Sequence, residues 1–103
     1  MAAVVLIQRD VRPENQDGVF ELLKQLRSRA VLQPGYLSGE TVFSPTKRGT
    51  HLVISRWRSL EDWRAWQNSP ERREILSIVD PLLAGPTVAS EYLDTMIPIL
   101  EGV

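Results

Sequence analysis

The chain contains no cysteine among its 103 residues. That excludes disulfides, thiolate metal sites and cysteine nucleophiles together, and leaves a small fold to rest on packing or oligomerisation. Histidine occurs once, at His51, so no histidine-based metal cluster is expected. Lysine is scarce: of twelve Lys and Arg residues two are lysine and ten arginine. The arginine bias reads as composition, with room for one or two functional guanidiniums within it. A net charge of -1 gives no basic footprint for nucleic acid. There is no long hydrophobic run. Ala2–Ile7 is short, has no basic segment before it and cannot span a bilayer. The expectation is a cytoplasmic protein with no membrane or nucleic-acid partner. Paired catalytic carboxylates, a nucleophile–base pair and a phosphate loop are also missing. Glu61 and Asp62 are adjacent acids, but they fall in the first turn of a helix, where acids suit the helix dipole.

What the chain does have is tryptophan, concentrated. Trp57, Trp63 and Trp66 fall within ten residues. Trp57 closes an apolar strand beginning at His51. Ser59 with Asp62 three residues later reads as a helix start of the capping-box kind. Trp63 and Trp66, at i and i+3, share a face of that helix. Ser69-Pro70 opens the next helix as an N-cap with proline in the first turn. Two large rings on one face are either ordinary core or the wall of an apolar pocket for a flat ligand.

Hydrophobic content of 43% and charged content of 24% are ordinary for one globular domain. The expected domain is 1–103, with a core over about 4–93 and a tail over 94–103. Val4–Val11 reads as a strand. A helix entered at Pro13-Glu14 carries Val19, Phe20, Leu22, Leu23, Leu26 and Ala30 at helical spacing and stops at Gln33-Pro34-Gly35. Tyr36–Ser44 and His51–Trp57 form a hairpin. The helix from Pro70 is expected to bury Ile75, Leu76, Ile78, Val79, Leu82 and Leu83, with Pro81 ending or bending it. Thr87–Leu93 is the last strand. The order βαββαβ is the ferredoxin-like α+β pattern, an antiparallel sheet with helices on one face. Strands one and three are apolar on both sides, whereas a sheet wet on one face alternates cleanly. A second copy of the chain covering the free face, giving a homodimeric α+β barrel, is the simplest cover. The apolar tail, with Met96, Ile97, Ile99 and Leu100, either reaches across that dimer or is a free end.

The strand–Trp57–x–Ser59 run, Trp66 nine residues after Trp57, Ser69-Pro70, and Pro34-Gly35-Tyr36 before strand two resemble the antibiotic biosynthesis monooxygenase-like family of dimeric α+β barrels, over about residues 4–93. The resemblance implies a homodimer and one of several chemistries. Heme-degrading members set a tryptophan, here Trp66, against the porphyrin, with an iron-ligating histidine ten residues later and an asparagine in strand one. Those positions are Leu76 and Gln8 in this chain, and leucine cannot ligate iron. Quinol-oxidising members carry a histidine at the position of Trp66 and often another after Ser-Pro, here Glu71. Cofactor-free phenol oxygenases place a tryptophan, an arginine and polar amides around an apolar pocket. There the deprotonated substrate supplies electrons to dioxygen, and the protein binds the ring, favours the anion and excludes water.

On this reading the candidate catalytic residues are Trp66, Arg56 and Gln8. The candidate substrate-binding residues are Trp66, Trp63, Asn68, Gln8 and Leu76, with no metal and no cofactor. The expected function is cofactor-independent monooxygenation of a flat phenolic or quinol-like molecule. The alternatives are a non-catalytic dimeric binding or stress-associated barrel and, behind it, a heme-binding or heme-degrading enzyme. Gln8 shares a strand face with Val4 and Leu6, and matters to the site if that face meets the helices. Arg9, on the face of Val5 and Ile7, is assigned to the dimer. His51 reads as a solvated strand-start histidine, and Arg72 and Arg73 with Glu71 and Glu74 as a solvated helix face.

Overall fold

A computed structural model describes residues 1–94. Four strands and three α-helices follow one another: β1 (Ala2–Asp10), α1 (Gln16–Ala30), β2 (Tyr36–Phe43), β3 (Thr50–Trp57), α2 (Leu60–Gln67), α3 (Pro70–Val79) and β4 (Val88–Asp94). Short 3-10 turns at Pro13–Asn15 and Asp80–Leu82 begin and end the helical segments where proline removes a backbone donor. The sheet runs β2-β3-β1-β4, antiparallel throughout. This is the ferredoxin-like α+β arrangement expected from the element order. Of the expected tail, only Asp94 is within the described residues.

Local chemistry sets the helix that carries the tryptophans. Ser59 is extended, and its Oγ accepts the Asp62 amide at 3.1 Å, which satisfies one of the orphan donors of the first turn. Ser69 does the same for Arg72 at 3.3 Å ahead of α3. Gly35, at φ +83, turns the chain from α1 into β2. A Cβ there would fall on the Asp62 carboxylate. The Gly35 carbonyl accepts the Arg58 amide at 2.7 Å, so this turn ties the start of β2 to the start of α2.

Burial along β1 alternates without a break: Ala3, Val5, Ile7 and Arg9 are buried, while Val4 and Leu6 are half-buried and Gln8 is exposed. The buried set faces the helices, and its partners on β3 are Trp57, Ser55, Val53 and His51 in register. With Val19, Leu26, Trp63, Trp66, Ile75 and Val79 they build the core. Leu76 and Leu82 pack against it only in part, and Ile78, expected inside, is 52% exposed. A ten-residue α3 cannot turn a stripe as wide as the sequence offered toward one sheet. Ile75 and Val79, one turn apart, take the centre of the contact.

Candidate functional site

Between the sheet and the helices lies a cavity of about 290 Å³, at the small end for ligand pockets of roughly 300–1,000 Å³. Its aromatic walls come from three elements. Trp57 ends β3, Trp63 and Trp66 face inward from α2, and Tyr36 starts β2. The rings meet in tilted and edge-to-face pairs, Trp57–Trp63 at 5.8 Å and Tyr36–Trp57 at 5.3 Å. Two of the indole N–H groups are held by hydrogen bonds. Trp57 Nε1 donates to Ser55 Oγ at 3.1 Å, and Trp63 Nε1 donates to Glu91 Oε2 at 2.8 Å. Arg64 also bonds Glu91, through Nε to one carboxylate oxygen and Nη2 to the other. The Glu91 carboxyl is therefore held below its ordinary value, by Arg64 first and with help from Trp63. This contact fastens α2 to β4 and sets the plane of Trp63.

The polar end of the cavity is built from Arg9 and His51, cross-strand neighbours on β1 and β3. Arg9 is 2% exposed and His51 1%. Arg9 Nε and Nη2 and both ring nitrogens of His51 are out of solvent and without a hydrogen-bond partner among the described residues. Such groups ordinarily find partners, and leaving one unsatisfied costs on the order of 1–3 kcal/mol. Burial, with the charge of Arg72, lowers the Arg9 pKa to about 10 against an opposing pull from Asp80. The guanidinium stays charged at neutral pH. His51 is shifted down from 6.5 by burial and then by Arg9; the Gly49 carbonyl and Asp10 oppose this. It is a neutral imidazole at pH 7, its ring edge-on to Phe20 at 5.5 Å and tilted against Phe43 at 6.1 Å. Arg72 from α3 reaches the same cavity and lays its guanidinium over the Trp63 ring, 5.2 Å from the centroid.

The sequence-derived candidates divide. Trp63 and Trp66 line the cavity. Gln8 does not: it lies exposed on the opposite sheet face, paired across to Leu52 and Val88. Arg56 shares that face and makes an exposed ion pair with Asp94 at 3.2 Å. Asn68 caps the end of α2, its side-chain amide donating to the Arg64 carbonyl at 2.9 Å. Leu76 is half-buried beside the core and outside the lining. In exchange, three residues assigned elsewhere by sequence enter the site. Arg9 points to the helices rather than to a dimer face, His51 is buried rather than solvated, and Arg72 leaves its helix surface to stack on Trp63. A signal for one of them, His51, was present. Trp57 must face the helix it leads into, and steps of two back along β3 reach Ser55, Val53 and His51. The parity of β1 had no such anchor, because both of its faces are apolar.

The residues present do not fit a heme. Leu76 offers no donor and lies outside the lining. The one histidine is packed edge-on to Phe20 and tilted against Phe43, and the cavity is small for a porphyrin. No group of three His, Asp or Glu side chains able to hold a metal gathers among the described residues.

Comparison with known proteins places this geometry in a family. The family model described as antibiotic biosynthesis monooxygenase matches residues 2–77. Protein SchA of Streptomyces halstedii is 27% identical over 81 residues, which is 79% of this chain and 21% of that protein. The chain thus spans about a fifth of the length of that curated relative. A conserved protein from Methanosarcina mazei Go1 superposes with a TM-score of 0.85 at 17% identity, covering 92% of this chain and 94% of the other. SnoaB from Streptomyces nogalater, a cofactor-independent oxygenase, superposes with a TM-score of 0.81 at 10% identity, covering 93% and 95%. At these identities the likeness to solved structures shows the fold alone. The family model, by contrast, matches most of the sequence and takes in the whole cavity lining from Ile7 to Arg72: the chain belongs to the antibiotic biosynthesis monooxygenase family.

Proposed function

We propose that the chain is a cofactor-independent monooxygenase of a flat phenolic or quinol-like small molecule, working as a homodimer. The observation that carries this reading is the tryptophan-walled cavity closed at one end by a buried, unpartnered His51. Flat rings suit walls made by Trp57, Trp63 and Trp66. The chemistry asks little of the protein beyond holding the ring, taking a proton and keeping water out. His51 is neutral and has a free nitrogen to accept that proton. The surrounding positive charge favours the ionised ring. For an anthrone-type substrate the balance is complete without a cofactor. The ring CH2 gives up two hydrogens and four electrons, one oxygen atom becomes the new carbonyl, and the other leaves as water. The likeness to SnoaB, a cofactor-independent oxygenase, and the family membership support the same reaction class.

The test is oxygen uptake by the purified protein against hydroquinones, anthrones and naphthols, with Trp66→Ala and His51→Ala alongside. Uptake that scales with protein, falls about 100-fold or more in His51→Ala, the low end of a general-base contribution of about 10²–10⁴, and falls in Trp66→Ala as well is the expected result. A flat trace across the panel with ligand still bound would replace the oxygenase by a non-catalytic binding barrel.

A further inference from the structure

We infer that the ligand of this cavity carries a carboxylate of its own, separate from the reacting ring hydroxyl, and that Arg9 is its receptor. The inference takes the cavity to be the ligand site and so rests on that part of the proposed function. It does not depend on catalysis.

Three observations lead to it. First, Arg9 presents a particular edge. Its free atoms are Nε and Nη2, which lie side by side on one flank of the guanidinium and match two oxygens at once. Elsewhere in this protein that same edge is given to carboxylates. Arg64 uses Nε and Nη2 on the two oxygens of Glu91, at 3.4 and 3.2 Å, whereas Arg58 turns both toward one oxygen of Asp62, at 3.4 Å each. Among the described residues no carboxylate meets the Arg9 edge. A single phenolate oxygen must be shared between the two donors; a carboxylate gives each its own acceptor.

Second, nothing in the described fold neutralises the charge. Asp80 acts on both Arg9 and Arg72 through space but makes no ion pair with either. An unpaired guanidinium in an apolar setting is costly, and truncating the partner of a buried charge typically destabilises by several kcal/mol. An anionic ligand would supply the missing counter-charge.

Third, the lining is electrically one-sided although the chain is not. Arg9, Arg27 and Arg72 reach the cavity, with Lys24 paired to Glu21 at 3.2 Å, against Glu40 among the described lining residues, in a chain of net charge -1. Clefts lined with one sign of charge concentrate ligands of the other. Arg27 is exposed on α1, whereas Arg9 is buried.

The experiment is calorimetric titration of the whole chain with 2-naphthoate and with 2-naphthamide, equal in shape and differing in charge. The acid is expected to bind about 10- to 100-fold more tightly. Arg9→Met is expected to erase the difference, and Arg9→Lys to restore part of it, since a point charge replaces the fork. Equal affinity for acid and amide in the wild-type protein overturns the inference, as does absence of naphthoate binding at millimolar concentration; neither result depends on how a variant folds. Selectivity for the acid in a protein that takes up no oxygen keeps the carboxylate site and removes the oxygenase. Uptake without selectivity does the reverse.

Discussion

His51 shows how a single side chain trades stability for a site. Its ring is packed by Phe20 and Phe43 as an apolar residue would be, yet neither nitrogen makes a hydrogen bond of ordinary geometry among the described residues, the Gly49 backbone offering only a weak contact. Its proton affinity is depressed by burial and by Arg9. The unfolded chain, with the ordinary value of 6.5, therefore binds a proton before the folded one does. Stability contributed by the neutral ring is present at pH 7.5 and is lost as pH falls below 6.5, at up to about 1.4 kcal/mol per pH unit until the folded pKa is reached. His51→Leu removes both the titration and the orphaned nitrogens. We expect the variant to match or exceed the wild type by about 1 kcal/mol at pH 7.5, with the gap widening toward pH 5.5. Urea unfolding at the two pH values measures this. A gap that narrows on acidification would mean that His51 has a carboxylate partner in the fold. Arg9 is the companion case: its charge has no counterpart among the described residues, which is why it reads as a receptor rather than as a strut.

At the scale of elements, α2 is the part whose placement matters most. It is eight residues long, too short to be stable by propensity. Three contacts hold it: the Ser59 cap, the Gly35 turn beneath Asp62, and the Glu91 clasp on Trp63 and Arg64. Ser59→Ala removes the cap and is expected to cost about 1 kcal/mol, read as a lower urea midpoint with unchanged slope. Because Trp63 and Trp66 ride on this helix, naphthoate affinity should fall with it. Unchanged stability would show that Asp62 and Gly35 fix the helix start without the serine. The Ser59 cap, the proline at the start of α3 and the tryptophan spacing were legible in the sequence, since they depend on neighbours within four residues; the reciprocal half of the capping box is not formed, because the Asp62 carboxylate takes Arg58 instead. Ile78 was not. Which flank of a wide apolar stripe is buried depends on what the helix lies against.

At the scale of the molecule, the sheet has a face that no helix of the described residues covers. Val4, Leu6, Leu52 and Ile54 are half-buried at its centre, with Val42, Val88 and Tyr92 exposed around them. The Arg56–Asp94 pair lies on this face too. An apolar patch of this kind is what a second sheet would cover in the homodimer we propose. Light scattering at micromolar concentration should then give twice the 11.7 kDa chain mass. Leu6→Arg, at the centre of the face, should return the protein to the monomer mass while leaving the cavity residues in place. A wild-type mass of one chain would leave this face for another partner.

The sequence by itself determined the order of elements, the α+β class, the helix starts and the shared face of Trp63 and Trp66, because each follows from spacing along the chain. Tertiary structure decided which side of β1 is inside. Its alternate residues are equally apolar up to Ile7, so a shift of one residue exchanges Gln8 for Arg9 at no local cost. The choice was made across the sheet. Trp57 must meet α2, its pairing with Ala3 fixes the parity of β1, and the same register brings Arg9 beside His51. A residue that composition alone would place on a surface thereby becomes the charge at the end of the cavity.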